Sequence, residues 1–240
     1  MRQSIFTVSD NREIAPGVYR MALAGDTSAI TRPGQFIDIA LEGLFLRRPI
    51  SVCDWDEGGL VIIYRVVGKG TDRMSALAPG ATLDALTGLG NGYDVAACPD
   101  DTVLAGGGVG MPPLYALAKA LVNAGKHPAA VLGFNRADEV FYEAEFRALG
   151  VPVTVTTVDG SAGAKGFVTD AMPDGAYACA CGPEPMLRAV HAKARGGQFS
   201  FEARMGCGFG ACMGCTIQTA NGPKRVCKDG PVLRYEEIVW

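Results

Sequence analysis

Thr102-Val-Leu-Ala-Gly106-Gly107-Gly108-Val-Gly110-Met-Pro112-Pro113-Leu114 passes from strand-forming residues through a glycine turn into a segment with prolines where a helix begins. Strand, glycine-rich loop and helix in that order is the context a nucleotide loop requires. Downstream, strands are predicted over 102–105, 129–134, 153–158 and 176–180. Helices are predicted over 112–124, 140–148 and 185–195, and the Gly196-Gly197 pair ends the last of them. This alternation implies a parallel sheet with crossover helices. The loop departs from the strict G-x-G-x-x-G pattern, because Pro113 takes the third glycine's place. Asn135 and Arg136 stand where an acidic residue would close the next strand. Taken alone, the loop therefore leaves open a simple glycine turn.

Upstream the texture differs. Segments 4–9, 17–23, 36–40, 49–54 and 60–67 are rich in Ile, Val, Phe and Tyr, with Pro-Gly, Gly-Asp, Glu-Gly and Gly-Gly between them. Short strands at this spacing predict an antiparallel barrel or sandwich, and we expect the barrel. A short helix is expected over 72–77 with Thr71 as its N-cap. The chain thus reads as multidomain: a β-barrel over 1–97, an α/β parallel-sheet domain over 98–197 and a small C-terminal segment over 198–240.

Composition narrows the function. The chain has 240 residues, 48% of them apolar, and a net charge of −3 with no block of like charge. That argues against nucleic-acid binding and against a basic membrane-surface helix. Met1-Arg-Gln-Ser-Ile-Phe lacks an apolar leader, and no run is long enough to span a membrane, so a cytoplasmic protein is expected. Thiols there stay reduced. His127 and His191 have no partnering constellation and are expected at the surface.

Four of the eight cysteines crowd the C-terminal segment: Cys207, Cys212, Cys215 and Cys227, spaced C-x4-C-x2-C, eleven residues, C. This opening matches the plant-type [2Fe–2S] pattern. Gly206, Gly208, Gly210 and Gly214 between them permit a loop that wraps closely and turns N–H groups toward sulfur. A structural zinc site more often shows two C-x2-C knuckles, and disulfides fit the expected compartment poorly. Cys53, Cys98, Cys179 and Cys181 lack ligand spacing and are expected as small buried apolar groups.

Three further motifs suggest nucleotide contacts. Arg48-Pro49-Ile50-Ser51 places a guanidinium suited to pyrophosphate and a hydroxyl suited to a flavin ring on one strand. A surface arginine beside a proline turn is the competing reading. Ile63-Tyr64-Arg65 leads through Gly68 and Gly70 to Thr71 and a helix start, whose bare N–H groups favour an anion. Cys181-Gly182-Pro183-Glu184 ends a strand and opens a helix. With Gly107, Gly108 and Gly110 it lies where a parallel sheet forms its ligand crevice.

R-P-I-S, G-G-G-V-G-M-P-P and C-G-P-E-P-M, in this order, resemble the ferredoxin–NADP reductase superfamily. E-A-R-M-G-C-G-F-G-A-C-M-G-C with R-V-C-K-D-G-P-V closely resembles the electron-transfer subunits of B-type dihydroorotate dehydrogenase. The resemblance implies FAD in the barrel, held by Arg48–Ser51, Ile63–Arg65, Gly70 and Thr71. It implies a nicotinamide dinucleotide in the second domain and a [2Fe–2S] cluster on Cys207, Cys212, Cys215 and Cys227. Arg136 stands where a 2′-phosphate is read, and NAD is the expected dinucleotide. Family members work as heterotetramers with two FMN-containing catalytic subunits that oxidise dihydroorotate to orotate in pyrimidine biosynthesis.

The expected activity is therefore that of an NAD-linked oxidoreductase subunit. Electrons would enter from the partner's FMN, pass through the cluster and FAD, and reach NAD⁺ as hydride. No side chain is expected to act as a general base, and Ser51 would orient the flavin. The segment after Gly197 is too short to close a ferredoxin core of its own. Met205, Phe209, Met213 and Ile238-Val239-Trp240 are candidates for apolar surface that a partner covers, or for packing onto the second domain. The alternatives are a reductase subunit serving ferredoxin, sulfide dehydrogenase or hydrogenase, and a zinc-stabilised binding module. A redox sensor would need an output surface, and none is legible.

Overall fold

Residues 2–89 close into a six-stranded antiparallel barrel. Its strands are β1 (Arg2–Ala15), β2 (Val18–Ala24), β3 (Phe36–Ile39), β4 (Arg48–Trp55), β5 (Gly59–Arg65) and β6 (Thr82–Leu89). Their order around the barrel is β1-β2-β5-β4-β3-β6. The computed structural model describes all 240 residues. Alternation drives closure: Leu60, Ile62 and Tyr64 of β5 face the interior with Phe6, Met21, Ile37 and Val52, while Ile63 faces the second domain. β6 lies outside the strands expected from sequence, although Leu83, Ala85, Thr87 and Leu89 alternate strictly as buried positions.

The short helix α1 (Lys69–Ser75) begins earlier than expected. Thr71 is not its N-cap but sits in its first turn. Its hydroxyl accepts from the N–H of Val67 at 2.9 Å and of Gly68 at 3.3 Å, and donates to the Gly68 carbonyl at 3.1 Å. At the other end Asn11 donates to the carbonyls of Met74 and Leu77, each at 2.9 Å, and the Met74 carbonyl also accepts from the Leu77 N–H at 3.1 Å.

The second domain carries β7 (Val103–Gly107), α2 (Met111–Asn123), β8 (Ala129–Phe134), α3 (Glu143–Ala148), β9 (Val153–Thr157), β10 (Ala164–Lys165), α4 (Val168–Ala171), β11 (Tyr177–Cys181), α5 (Glu184–Lys193) and β12 (Gly196–Ser200). Its sheet runs β10-β9-β8-β7-β11-β12, all parallel. A final strand, β15 (Val232–Arg234), joins antiparallel to β12. Helix α3 starts later than the sequence suggests because Tyr142 takes a left-handed conformation at φ 64°. Gly196-Gly197 opens a strand rather than merely ending a helix. A Cβ on Gly197 would lie 2.9 Å from the Ala178 carbonyl carbon, so glycine allows β12 to approach β11.

Between β12 and β15 lies the cysteine segment, with one hairpin of β13 (Thr216–Thr219) and β14 (Gly222–Arg225). The strands at 196–200 and 232–234 tie both ends of this segment into the second domain's sheet. The barrel and sheet share one apolar core, in which Val18, Cys53 and Ile63 meet Leu114, Leu117 and Leu121 of α2. Lys119 on α2 adds a 2.7 Å ion pair to Asp54 on β4. Cys53, Cys98, Cys179 and Cys181 are all buried, as expected of small apolar groups. No helix is long and apolar enough to cross a membrane.

Candidate cofactor sites

On the barrel, β4 presents Arg48, Pro49, Ile50 and Ser51, all partly exposed, with Ser51 opposite Phe36 of β3. Arg48 folds over the start of α1. A Cβ on Gly70 would come within 2.7 Å of the Arg48 guanidinium carbon, so glycine is what admits the guanidinium there. The short helix leaves the first N–H groups around Gly70 and Thr71 without intrahelical acceptors beside that cation. This cradle of positive charge and bare N–H fits a pyrophosphate. Neighbouring Arg47 has a different task, pairing with Asp84 at 2.9 Å and donating to the Asp38 carbonyl at 3.1 Å. Within Ile63-Tyr64-Arg65, only Arg65 lines the cleft described below. Ile63 packs between the domains, and Tyr64 turns into the barrel, where its hydroxyl donates to Asn11 at 3.1 Å.

A cleft of about 690 Å³ crosses the carboxyl ends of the parallel strands. Gly107 lines it from the end of β7, Gly108 and Gly110 from the turn that follows, and Gly182 and Pro183 from the turn after β11. These two turns pack backbone to backbone: a Cβ on Gly110 would lie 2.6 Å from the Gly182 Cα. Cys181 sits just beneath them, 4% exposed. Burial, and then the Glu202 carboxylate, push its thiol up to about 12, so it is a neutral, small side chain under the cleft floor. Glu184 is not among the cleft-lining residues; it lies on α5, 3.6 Å from Arg188.

The four cysteines of the terminal segment stand together but not at one point. Cys207 Sγ accepts from the N–H of Ala211 at 3.2 Å and of Cys212 at 3.4 Å. Cys212 Sγ accepts from Gly214 and Cys215 Sγ from Cys227, each at 3.4 Å. Burial would raise the Cys207 thiol, but the N–H groups of Cys212, Phe209 and Ala211 outweigh it and bring it down to about 6. Burial, with Cys215 beside it, pushes Cys227 up to about 12. Cys207 thus lies beside Cys212 and Cys215 beside Cys227, with Cys207 close enough to Cys227 to bear on its thiol. Four cysteines whose sulfurs are approached by backbone N–H groups fit the thiolate ligation of a two-iron cluster.

The segment is fastened to the barrel. Cys215, Val226 and Cys227 share a small core with Phe36 and Leu89. A Cβ on Gly208 would lie 3.0 Å from the Asp38 carboxyl carbon. Arg225 braces the loop from below: it donates to the Gly210 carbonyl at 2.8 Å and grips Asp229 through Nε at 2.8 Å and Nη2 at 3.1 Å. Asp229→Asn should therefore leave flavin content unchanged and speed the bleaching of the cluster by an iron chelator severalfold. An unchanged bleaching rate would show that this brace is dispensable. The Arg225 hydrogen bonds hold the Asp229 carboxyl near 2, below its ordinary 3.8. Its contribution to stability is complete above about pH 4 and is lost as pH falls through about 2.

The apolar residues of the segment divide. Phe209 and Met213 are 42% and 53% exposed on the cysteine loop. Met205 instead packs into the small core beside Cys215, and Ile238 packs against the second domain. Trp240 lies 5.7 Å from Phe201, with the Arg188 guanidinium 5.1 Å over its ring.

Residues 202–239 match the family described as the iron–sulfur cluster binding domain of dihydroorotate dehydrogenase B. Over its whole length the chain is 41% identical to the electron transfer subunit of dihydroorotate dehydrogenase B (NAD(+)) from Geobacillus sp. strain WCH70, covering 99% of that protein. The same-named subunit of Geobacillus thermodenitrificans is 43% identical, with 97% of both chains covered. Among solved structures, a chain of the NADH-dependent reduced ferredoxin–NADP oxidoreductase is 34% identical, with a TM-score of 0.87 over 98% of this chain and 90% of that one. A ferredoxin–NADP⁺ reductase from Neisseria gonorrhoeae, solved with FAD and NADP, shares the fold at 12% identity and a TM-score of 0.69, over 80% and 90% of the two chains.

Proposed function

This chain belongs to the family of electron transfer subunits of dihydroorotate dehydrogenase B, and we propose how its parts divide that work. It is the electron transfer subunit of an NAD-linked dihydroorotate dehydrogenase, an oxidoreductase that holds FAD and a [2Fe–2S] cluster. A catalytic partner subunit completes the enzyme. We assign FMN to that partner, with two copies of each chain in the assembly. Bound FAD supplies the chemistry that joins hydride exchange with nicotinamide to single-electron exchange with iron–sulfur centres.

The residues of this chain hold and orient. Arg48, Gly70 and Thr71 would hold the FAD pyrophosphate, and Ser51 would orient the flavin. Cys207, Cys212, Cys215 and Cys227 hold the cluster. The glycine turns after β7 and β11 hold NAD⁺ against the barrel, with neutral Cys181 beneath it. The carboxylates that line the cleft are Glu139, which accepts from Asn135, and Glu202; no histidine lines it. One observation supports this order more than any other. Phe36 lies opposite Ser51 in the barrel and packs in the same core as Cys215 and Cys227, so the strand assigned to the flavin and the cysteine loop share a wall.

Phe209 and Met213, exposed beside the sulfurs, are the surface we assign to the partner. Co-purification with an FMN-bearing chain, followed by dihydroorotate-dependent reduction of NAD⁺, tests the whole reading. A lone chain that bears no visible flavin or cluster absorption would refute the assignment of cofactors. Phe209→Asp should leave both absorptions intact and weaken co-purification. Normal assembly in that variant would move the interface elsewhere.

A further inference from the structure

Glu139 stands in the same cleft, at the end away from the barrel. The cleft crosses Thr156 of β9, Asn135 after β8, Gly107 at the end of β7 and Gly182 after β11, and Arg65 reaches into it from the barrel. If nicotinamide meets the barrel-held flavin, the adenosine half lies toward β8 and β9. The inference below rests on that reading of the cleft as the NAD⁺ site. The strand β8 is followed by Asn135 and Arg136, with no acidic residue in the place where NAD-binding sheets commonly carry one.

The fold supplies the acid by another route. A tight 3-10 turn over Ala137–Glu139 doubles the chain back, so that Glu139 Oε2 accepts from the Asn135 side chain at 2.9 Å and its backbone N–H at 3.3 Å. The turn is anchored by Ala137 N–H donating to Ser161 Oγ at 2.8 Å. Both Asn135 and Glu139 line the cleft. Arg136 does not line it and is engaged by Asp138 at 2.9 Å. The carboxylate offered at this end of the cleft is thus Glu139, with Arg136 turned to Asp138.

We propose that Glu139 selects NAD over NADP, accepting from the adenosine ribose hydroxyls and repelling a 2′-phosphate. Asn135 is the positioning residue that fixes the carboxylate, and Asp138 keeps Arg136 from serving the phosphate. An exposed ion pair such as Arg136–Asp138 holds weakly, so the larger effect belongs to Glu139.

The test is calorimetric titration of the flavin- and cluster-loaded protein with NAD⁺ and with NADP⁺, which needs no turnover. Glu139→Gln keeps the shape and removes the charge. It should lower the ratio of the NADP⁺ to NAD⁺ dissociation constants at least about tenfold. Adding Asp138→Asn should lower it further. In turnover with an artificial acceptor, Glu139→Gln should raise the KM for NADH and leave kcat unchanged. An unchanged ratio in Glu139→Gln overturns the proposal. So does weaker NADP⁺ binding in Arg136→Ala, which would make Arg136 the reader of that position. A wild-type protein that binds neither nucleotide would instead refute the cleft as the NAD⁺ site, and the inference with it. Flavin absorption checks that each variant is folded.

Discussion

Cys212→Ala abolishes reduction of NAD⁺ by dihydroorotate in the assembled enzyme, while FAD stays bound and NADH still reduces a flavin-accepting dye. Cys212 is the most exposed of the four cysteines, and Cys215 and Cys227 are buried. Its side chain takes no part in the small core that joins the segment to the barrel. Removing its sulfur should therefore cost little in folding and leave one iron a ligand short. Soft thiolate is what holds such a cluster, and methyl offers nothing in its place. The FAD residues Arg48, Ser51 and Gly70 lie on other elements, so flavin content should match the native protein. Visible absorption and paramagnetic resonance of the reduced protein report the cluster, and the coupled assay reports the route. If dihydroorotate still reduced NAD⁺ after the cluster signal had gone, the cysteine loop would not lie on the path. Cys227→Ala is a poorer probe, because it would also hollow the core shared with Phe36 and Leu89.

Legibility followed physical cause. The cysteine spacing is a covalent demand, so it survives any error about strands, and the pairing of 207 with 212 and 215 with 227 agrees with it. The sheet domain was readable because glycine turns and helix-opening prolines punctuate it. The sixth barrel strand was not, since Asp84, Ala85 and Gly88 carry poor strand propensity. It forms because Leu83 and Ala85 meet the closed barrel interior and Leu89 meets the small core under the cysteine loop, which is a tertiary reward. Gly197 was read as punctuation when its role is close approach between neighbouring strands. Tyr64 shows the limit of reading a motif as a block: alternation turns its ring into the barrel while Arg65 faces the cleft. Glu139 escaped notice because its position depends on a three-residue turn, and no spacing rule applied to β8 reaches five residues past its end.

Gly110→Ala should weaken NADH binding by about a hundredfold or more, the equivalent of about 3 kcal/mol. The added methyl would overlap the Cys181 carbonyl group and approach the Gly182 Cα to 2.6 Å. These are backbone atoms, so no rotamer change relieves the contact. The turn after β7 and the turn after β11 must move apart, and together they form the floor of the cleft. Overpacking of this kind costs about 1–3 kcal/mol in stability, which a domain sharing a large core with the barrel can absorb. Gly108→Ala is the matched control. Gly108 has φ +51° but open space around its Cβ position, so it meets strain without collision. Its effect on binding should be several times smaller. Titration of the oxidised flavoprotein with NAD⁺ separates the two. Equal losses in both variants would mean that backbone strain in the turn governs binding, rather than the close packing of Gly110 on Gly182. Undiminished binding in Gly110→Ala would place the dinucleotide elsewhere, since no ligand could bridge the two turns unchanged once a methyl group had wedged them apart.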